Sequence, residues 1–329
     1  MPELALPAGL AARPLTPDDM AAAADLLAAA ELVDDTGEHM SAEELAGWWV
    51  NDLVDLPRDS RLVRTADGEV VAVAVVDAPP TFRDAFTVHL EGCVHPGWRG
   101  RGIGRALLAW QLERGAQVHA ERHPEAPARL TVSVFSSMPT AEALVRRAGL
   151  TPRRWFSHMS RALTGLPAPP AVPGVRLVPF TFDRDDEVRR AHNAAFADHY
   201  GSSERDAASW QVLFTGQHTF RADVSVLALE DDAVVGYTLA YVSEAGFQAT
   251  GERETYLGQI GVLPRARGRG LAKATIAEAL RLAAEHDCSV AALQVDSENG
   301  SGAVGLYEGL GFATQRTQVS WVRELPPSS

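Results

Sequence analysis

Two cysteines, Cys93 and Cys288, in 329 residues rule out a disulfide framework and point to a reducing cytoplasm. No uncharged apolar run approaches the ~18 residues a membrane helix needs. The N-terminal MPELALPAGLAARPL has neither the basic stretch nor the apolar core of a secretory signal. A membrane is therefore not expected as a partner. Lysine is nearly missing: of thirty basic residues only Lys273 is lysine, and alanine abounds, the bias of a GC-rich bacterial genome. The net charge of −13 leaves no broad basic surface for a phosphate backbone, so nucleic acid is not expected either. An acidic body suits a small cationic or amine-bearing substrate. The Walker A spacing is absent, and so is GxGxxG, because after Gly102 and Gly104 the next glycine is Gly115. His119 and His123 stand i,i+4, but no HExxH glutamate follows His119 and Pro124 ends the helix. They read as two exposed histidines, and no metal is expected.

What is present is a repeat. VHPGWRGRGIGRA at 94–106 and VLPRARGRGLAKA at 262–274 share valine, proline, arginine and glycine at matching places. Each follows a strand-like apolar run (87–94 and 255–262) and opens a segment with helical spacing. Strand, glycine-rich turn and helix start together form an anion site, because first-turn N–H groups lack intrahelical partners and the helix dipole adds positive charge. Gly100, Gly102 and Gly104, with Gly268 and Gly270, keep side chains clear of a ligand. Arg99, Arg101, Arg267 and Arg269 offer charge-assisted bonds. The shared pattern is arginine–x–x–glycine–x–glycine/alanine, read as Arg99-Gly102-Gly104 and Arg267-Gly270-Ala272.

On this loop the chain resembles the GCN5-related N-acetyltransferases (GNAT), in which the loop binds the pyrophosphate of acetyl-coenzyme A. The resemblance covers essentially the whole chain and is strongest over 254–312. It implies a mixed-sheet α/β fold in two tandem acyl-coenzyme A N-acyltransferase domains. The Pro-rich stretch 164–174 reads as the linker. The expected domains are 1–163, catalytically degenerate, and 175–329, active. Both halves run in parallel: a short strand, an acidic helix start, a hairpin, the strand and glycine loop, a helix, another strand, a short helix, and a last strand that closes the half.

The resemblance also assigns residues. It implies that Val94, Arg99–Gly104 (with Ile103) and Ile260, Gly261, Val262, Arg267–Leu271 and Ala272 contact the coenzyme. The backbones of Ile260 and Val262 would pair with pantetheine amides as an added strand. In VDSENGSGAVGLYEGLGF (295–312), Tyr307 takes the family's general-acid position, where a phenol protonates the departing thiolate. Asn299 takes the pantetheine-holding position, and it also reads as a turn residue in Asn299-Gly300. In the first half Val145 and Ser137 stand at these places, so its chemistry by this route looks lost. Glu254, sharing strand parity with Tyr256, is the candidate general base; ordered water is the alternative. His199 and Tyr200 are candidate acceptor contacts, with Phe196 and Tyr200 also readable as one core stripe. Among two-domain members the layout is similar to those that acetylate the cysteinyl amine of an actinobacterial thiol, but the strand position where their glutamate is sought is Tyr256. The expected reaction is acetyl transfer to a small-molecule primary amine by direct attack. An acyl-coenzyme A sensor is the rival reading, and monomer or homodimer stays open.

Overall fold

The computed structural model describes residues 4–197, 203–298 and 302–327. Contacts divide it into two compact units: residues up to Trp155 with those from Gln318 onward, and Phe156–Thr317.

The first unit begins with β1 (Leu10–Arg13), α1 (Met20–Asp34), α2 (Ala42–Trp49) and α3 (Leu56–Asp59). The strands β2 (Ser60–Thr65), β3 (Val70–Asp77) and β4 (Phe86–Val94) follow, then α4 (Ile103–Arg122), β5 (Ala128–Phe135) and α5 (Pro139–Arg147). β3 reads VVAVAVVD, and Val71–Val75 are fully buried because helices cover both faces. One face packs Leu26, Leu45 and Trp49 of α1 and α2 against Val73 and Val75. The other packs Ile103, Leu107 and Trp110 of α4 against Ala72, Ala74, Val88 and Leu90. Each such burial stabilises by about 1.5–3 kcal/mol for a full-sized aliphatic side chain.

β6 (Thr151–Ala162) carries the chain into the second unit. There β7 (Arg176–Pro179), α6 (Asp185–Ala195) and α7 (Ala207–Trp210), which runs on into a π-turn, repeat the plan. β8 (Val226–Glu230) and β9 (Ala233–Val242) join through Asp231 and Asp232, both at positive φ as a two-residue primed turn requires. Then come α8 (Glu244–Thr250), β10 (Glu254–Val262), α9 (Leu271–Glu285), β11 (Val290–Asp296), α10 (Ala303–Glu308) and β12 (Ala313–Leu325).

Strand order is β1-β2-β3-β4-β5-β12 in the first unit and β7-β8-β9-β10-β11-β6 in the second. Among the described residues, neighbours in each are antiparallel except β4–β5 and β10–β11. The last strand of each half is thus exchanged. Val290–Asp296 pair with Phe156–Ala162, and Gln318–Leu325 pair with Ala128–Phe135. The sequence halves 1–163 and 175–329, each closed by its own last strand, differ from the compact units for this reason. Alternation marks a strand but carries no address for its partner. Residues 166–172 of the Pro-rich stretch carry no helix or strand.

A fragment cut at the sequence seam, 175–329, loses the seven-pair ladder of β6 and keeps a β12 with no β5 to pair. Thermal melts followed by circular dichroism should show it aggregating, or melting at least about 10 °C below fragment 156–317. Equal melting would mean the exchange contributes nothing.

Candidate active site

In the second unit the parallel pair β10–β11 holds for three residues, Glu254–Tyr256 against Val290–Ala292, and then parts. Beyond it β10 continues to Val262 with β9 alone. A register shift between Leu257 and Gln259 marks a bulge at Gly258. No side chain fits there, since a Cβ would lie 2.7 Å from the Tyr241 ring. Leu263 N–H donates to Val235 on the β9 side. Strand alternation then turns the backbone groups of Ile260 and Val262 to the open side, and Gly261 toward β9. The first unit opens in the same way: β4–β5 pairing stops at His89–Thr131, and His95 N–H donates to Val71, leaving Val94 facing the gap.

At the mouth of each opening the glycine loop turns into a helix. Gly268 and Gly270 have φ of +76° and +83°, and Gly100 and Gly102 of +76° and +91°. An L side chain in that region is strained by roughly 1–2 kcal/mol. Space beside Gly268 and Gly270 is open. The first intrahelical donors are Ala274 and Ala106, so the N–H groups of Leu271 and Ala272, like those of Ile103 and Gly104, have no helical partner. Gly104 also lets Leu144 approach, at 3.4 Å from where a Cβ would stand. These loops fit a diphosphate.

The arginines are placed less uniformly. Arg99 donates to the Val94 carbonyl and bidentately to Asp34, at 2.6 Å each. Arg267 donates to Ala195 O at 2.8 Å and toward Val262 O, and among the described residues meets no carboxylate. Both therefore tie the loop to the end of the first helix of their unit, and among the described residues only Arg99 meets a carboxylate in doing so. Arg269 pairs with Glu230 at 2.7 Å. Arg101 reaches Gly97 O and lies over the Trp98 ring.

Tyr307 sits on α10, 8% exposed, edge-on to Phe312. Burial pushes its phenol up to about 12, and its hydroxyl has no partner among the described residues. The helix ends with Phe312 N–H on Tyr307 O at 3.0 Å. In the first unit Leu150 N–H bonds Val145 O at 3.1 Å, so Val145 occupies the equivalent position. Glu254 lies at the closed end of the opening, opposite Val290 and two residues before the strands part. Burial raises its carboxyl, with Arg316 opposing and Glu252 adding to the shift.

A model of the Acetyltransferase (GNAT) family matches residues 24–129 and again 186–312. A mycothiol acetyltransferase of Thermobispora bispora is 35% identical over 71% of this chain and 75% of its own length. One from Frankia casuarinae is 33% identical over 80% and 74%. The GCN5-related N-acetyltransferase of Sphaerobacter thermophilus superposes with a TM-score of 0.76 at 27% identity, covering 98% of both chains. A tandem GNAT protein from the clavulanic acid biosynthesis pathway shares the fold, with a TM-score of 0.71 at 22% identity over 97% of this chain and 100% of its own.

The chain belongs to the GNAT acetyltransferase family.

It is a tandem GNAT acyltransferase. Three residues singled out in the sequence, Asn299, His199 and Tyr200, lie outside the described residues. Phe196 packs on the α6 core, stacked on His192. His119 is not exposed: it is 1% accessible, its Nε2 is 2.7 Å from Ala126 O, and it stacks on Phe86. The i,i+4 spacing was read without the β4 aromatic that covers that helix face. Sequence reasoning also missed Gly258 and Tyr241, although a glycine inside a strand is a bulge signal. It missed Arg161 as well, for which no local signal exists. From β6 this arginine donates to Leu310 O, at the turn ending the Tyr307 helix, and to Thr164 O at 3.3 Å. Arg323 of β12 does the same to Ala148 O in the first unit.

Arg161 thus positions the GNAT helix that carries Tyr307. Arg161→Ala should lower kcat about tenfold, through misplacement of the helix, with KM less changed and the far-UV spectrum intact. Arg161→Lys should recover part of the loss. An unchanged kcat would make the contact incidental.

Proposed function

We propose that the second unit transfers an acetyl group from acetyl-coenzyme A to a primary amine of a small molecule by direct attack, and that the first unit has lost this chemistry. The observation carrying this reading is the contrast at one helix position, Tyr307 against Val145, with the same hydrogen-bonded turn after each. When an amine attacks the thioester, sulfur departs as a thiolate that needs a proton. A phenol held near 12 stays protonated at neutral pH and can supply one, whereas valine cannot.

The backbones of Ile260 and Val262 would pair with the pantetheine amides, and N–H groups at 268–272 would hold the diphosphate. Asn299 would steady the pantetheine arm, and His199 and Tyr200 would meet the acceptor. The acceptor arrives as an ammonium, so a base must act first. Glu254, raised by burial, would work through water from the closed end of the strands. Positioning and the backbone donors supply the rest of the acceleration.

The similarity to mycothiol acetyltransferases favours a second reading, in which the acceptor is a cysteinyl amine. Tyr256 at the strand position where a glutamate is sought separates this chain from that reading.

Free-thiol release from acetyl-coenzyme A against a panel of amines, cysteinyl glycosides included, tests the proposal. Tight coenzyme binding with no release for any amine would instead favour a sensor. Tyr307→Phe should cut kcat at least about 100-fold, the usual worth of a positioned acid, while Val145→Ala leaves it unchanged. Equal losses would overturn the assignment. Because the Tyr307 acid form persists until pH approaches 12, kcat should show no descending limb from it below pH 10.

A further inference from the structure

A primary ammonium carries three protons on nitrogen, and the amide it becomes keeps one, so two must leave. In the acetyl transfer proposed above, Glu254 takes the first through water before attack. The second leaves only after the carbon–nitrogen bond has formed, when nitrogen is again cationic and strongly acidic. By then Glu254 has taken its proton, and Tyr307 must give one to sulfur rather than receive one.

The sheet separates the two sides of this chemistry. Tyr307 packs with Leu257, Leu293 and Val295 on the face covered by α9 and α10. Tyr256, opposite Tyr241 on β9 and Ala292 on β11, lies on the other face, where Tyr241 packs against the α6 core. The acid thus occupies one face of the opening and leaves the other to the amine.

Two residues past Ala292, where β10 has already parted from β11, Gln294 lies on that second face. His158 of the exchanged strand β6 stands directly opposite it. Gln294 Nε2 is 2.8 Å from His158 Nε2, and both side chains are half-buried. A side-chain amide turns over to present either an N–H or a carbonyl oxygen, so Gln294 can hold the ring both before and after it gains a proton. Met159, the next residue of β6, is buried in the core on the α9 side and anchors the strand. Asp296, two residues further along β11, is buried and accepts the Glu298 N–H at 2.9 Å at the strand's end. In the first unit the places of Gln294 and His158 hold Ser133 and Ser320, paired with each other. A serine hydroxyl does not take up a proton near neutrality, whereas an imidazole does. The unit with Tyr307 has the histidine, and the unit with Val145 has not.

We propose, resting on the acetyl-transfer reading, that His158 is a further catalytic residue of the second unit and accepts the second proton of the acceptor nitrogen. The amine lone pair forms the carbon–nitrogen bond, and the carbonyl electrons move to oxygen. The nitrogen then gives its proton to the His158 imidazole. The carbonyl re-forms, the carbon–sulfur bond breaks with its electron pair on sulfur, and Tyr307 protonates the thiolate. His158 passes its proton to solvent and Tyr307 regains one, so each ammonium consumed releases one proton net.

Thiol release by the full chain, with an amine the parent accepts, tests this. His158→Ala should lower kcat about 100-fold, the usual worth of a positioned proton acceptor, with the KM for acetyl-coenzyme A unchanged. Free imidazole should restore turnover to His158→Ala but not to Tyr307→Phe, which separates a lost proton acceptor from a lost fold contact. His158→Gln, able to meet Gln294 but not to take a proton, should be as slow as His158→Ala. The inference is overturned if either His158 variant keeps the parent kcat, or if imidazole restores nothing. Acetyl transfer then stands without it, provided Tyr307→Phe still loses turnover. A parent that releases no thiol with any amine removes the acetyl-transfer reading and this inference together.

Discussion

Both units depend on a break in the sheet at one level. Parallel strands that paired along their whole length would leave no room for a thioester between them. The second unit breaks its ladder with an inserted residue, Gly258, which bends β10 where it leaves β11. The first unit keeps a continuous register there. Gln111 of α4, 4% exposed, donates through Nε2 to both Val75 O and Glu91 O, the two residues paired at that point. A carbonyl has two lone pairs, and at this buried level the amide donates to both carbonyls of the pair. Ala279 holds the matching place on α9 and could not do so.

The exposed strand edge explains why the glycine loop is where it is. β10 delivers Val262 with its carbonyl facing the gap, and the loop arginine closes on that carbonyl before the helix starts. In the first unit Arg99 makes the same closure at 3.0 Å. The guanidinium is then drawn toward the end of the first helix, whose carbonyls and dipole attract a cation. The first unit places a carboxylate, Asp34, at that end; among the described residues the second offers the Ala195 carbonyl. A charge held by a dipole remains available to a diphosphate in a way that a charge in a bidentate ion pair does not.

Much of this was legible in the sequence, because local rules carried it. The loops declared themselves through Gly100, Gly102, Gly268 and Gly270, which take the left-handed backbone that other residues resist. The paired hairpins and the short helices ending at Gly149 and Gly311 followed from turn chemistry. What was hidden is non-local. Nothing in the alternation of 151–162 says that it pairs with Val290–Asp296, so Arg161 could not be read as a support for α10. His119 looked exposed because its cover, Phe86, lies 33 positions away in sequence.

The exchange of β6 and β12 bears on how the units diverged. If each half had closed on itself, a first unit without an acid at Val145 would be dispensable to catalysis. As built, the first half of the chain supplies the strand beside β11, and Arg161 from that strand holds the turn after Tyr307. The reverse debt is Arg323, which holds the turn after Val145. The first sequence half is therefore part of both compact units, since its last strand from Phe156 onward belongs to the second. Asp77, His89 and Glu91 stand where the second unit keeps Tyr241, Tyr256 and Gln259.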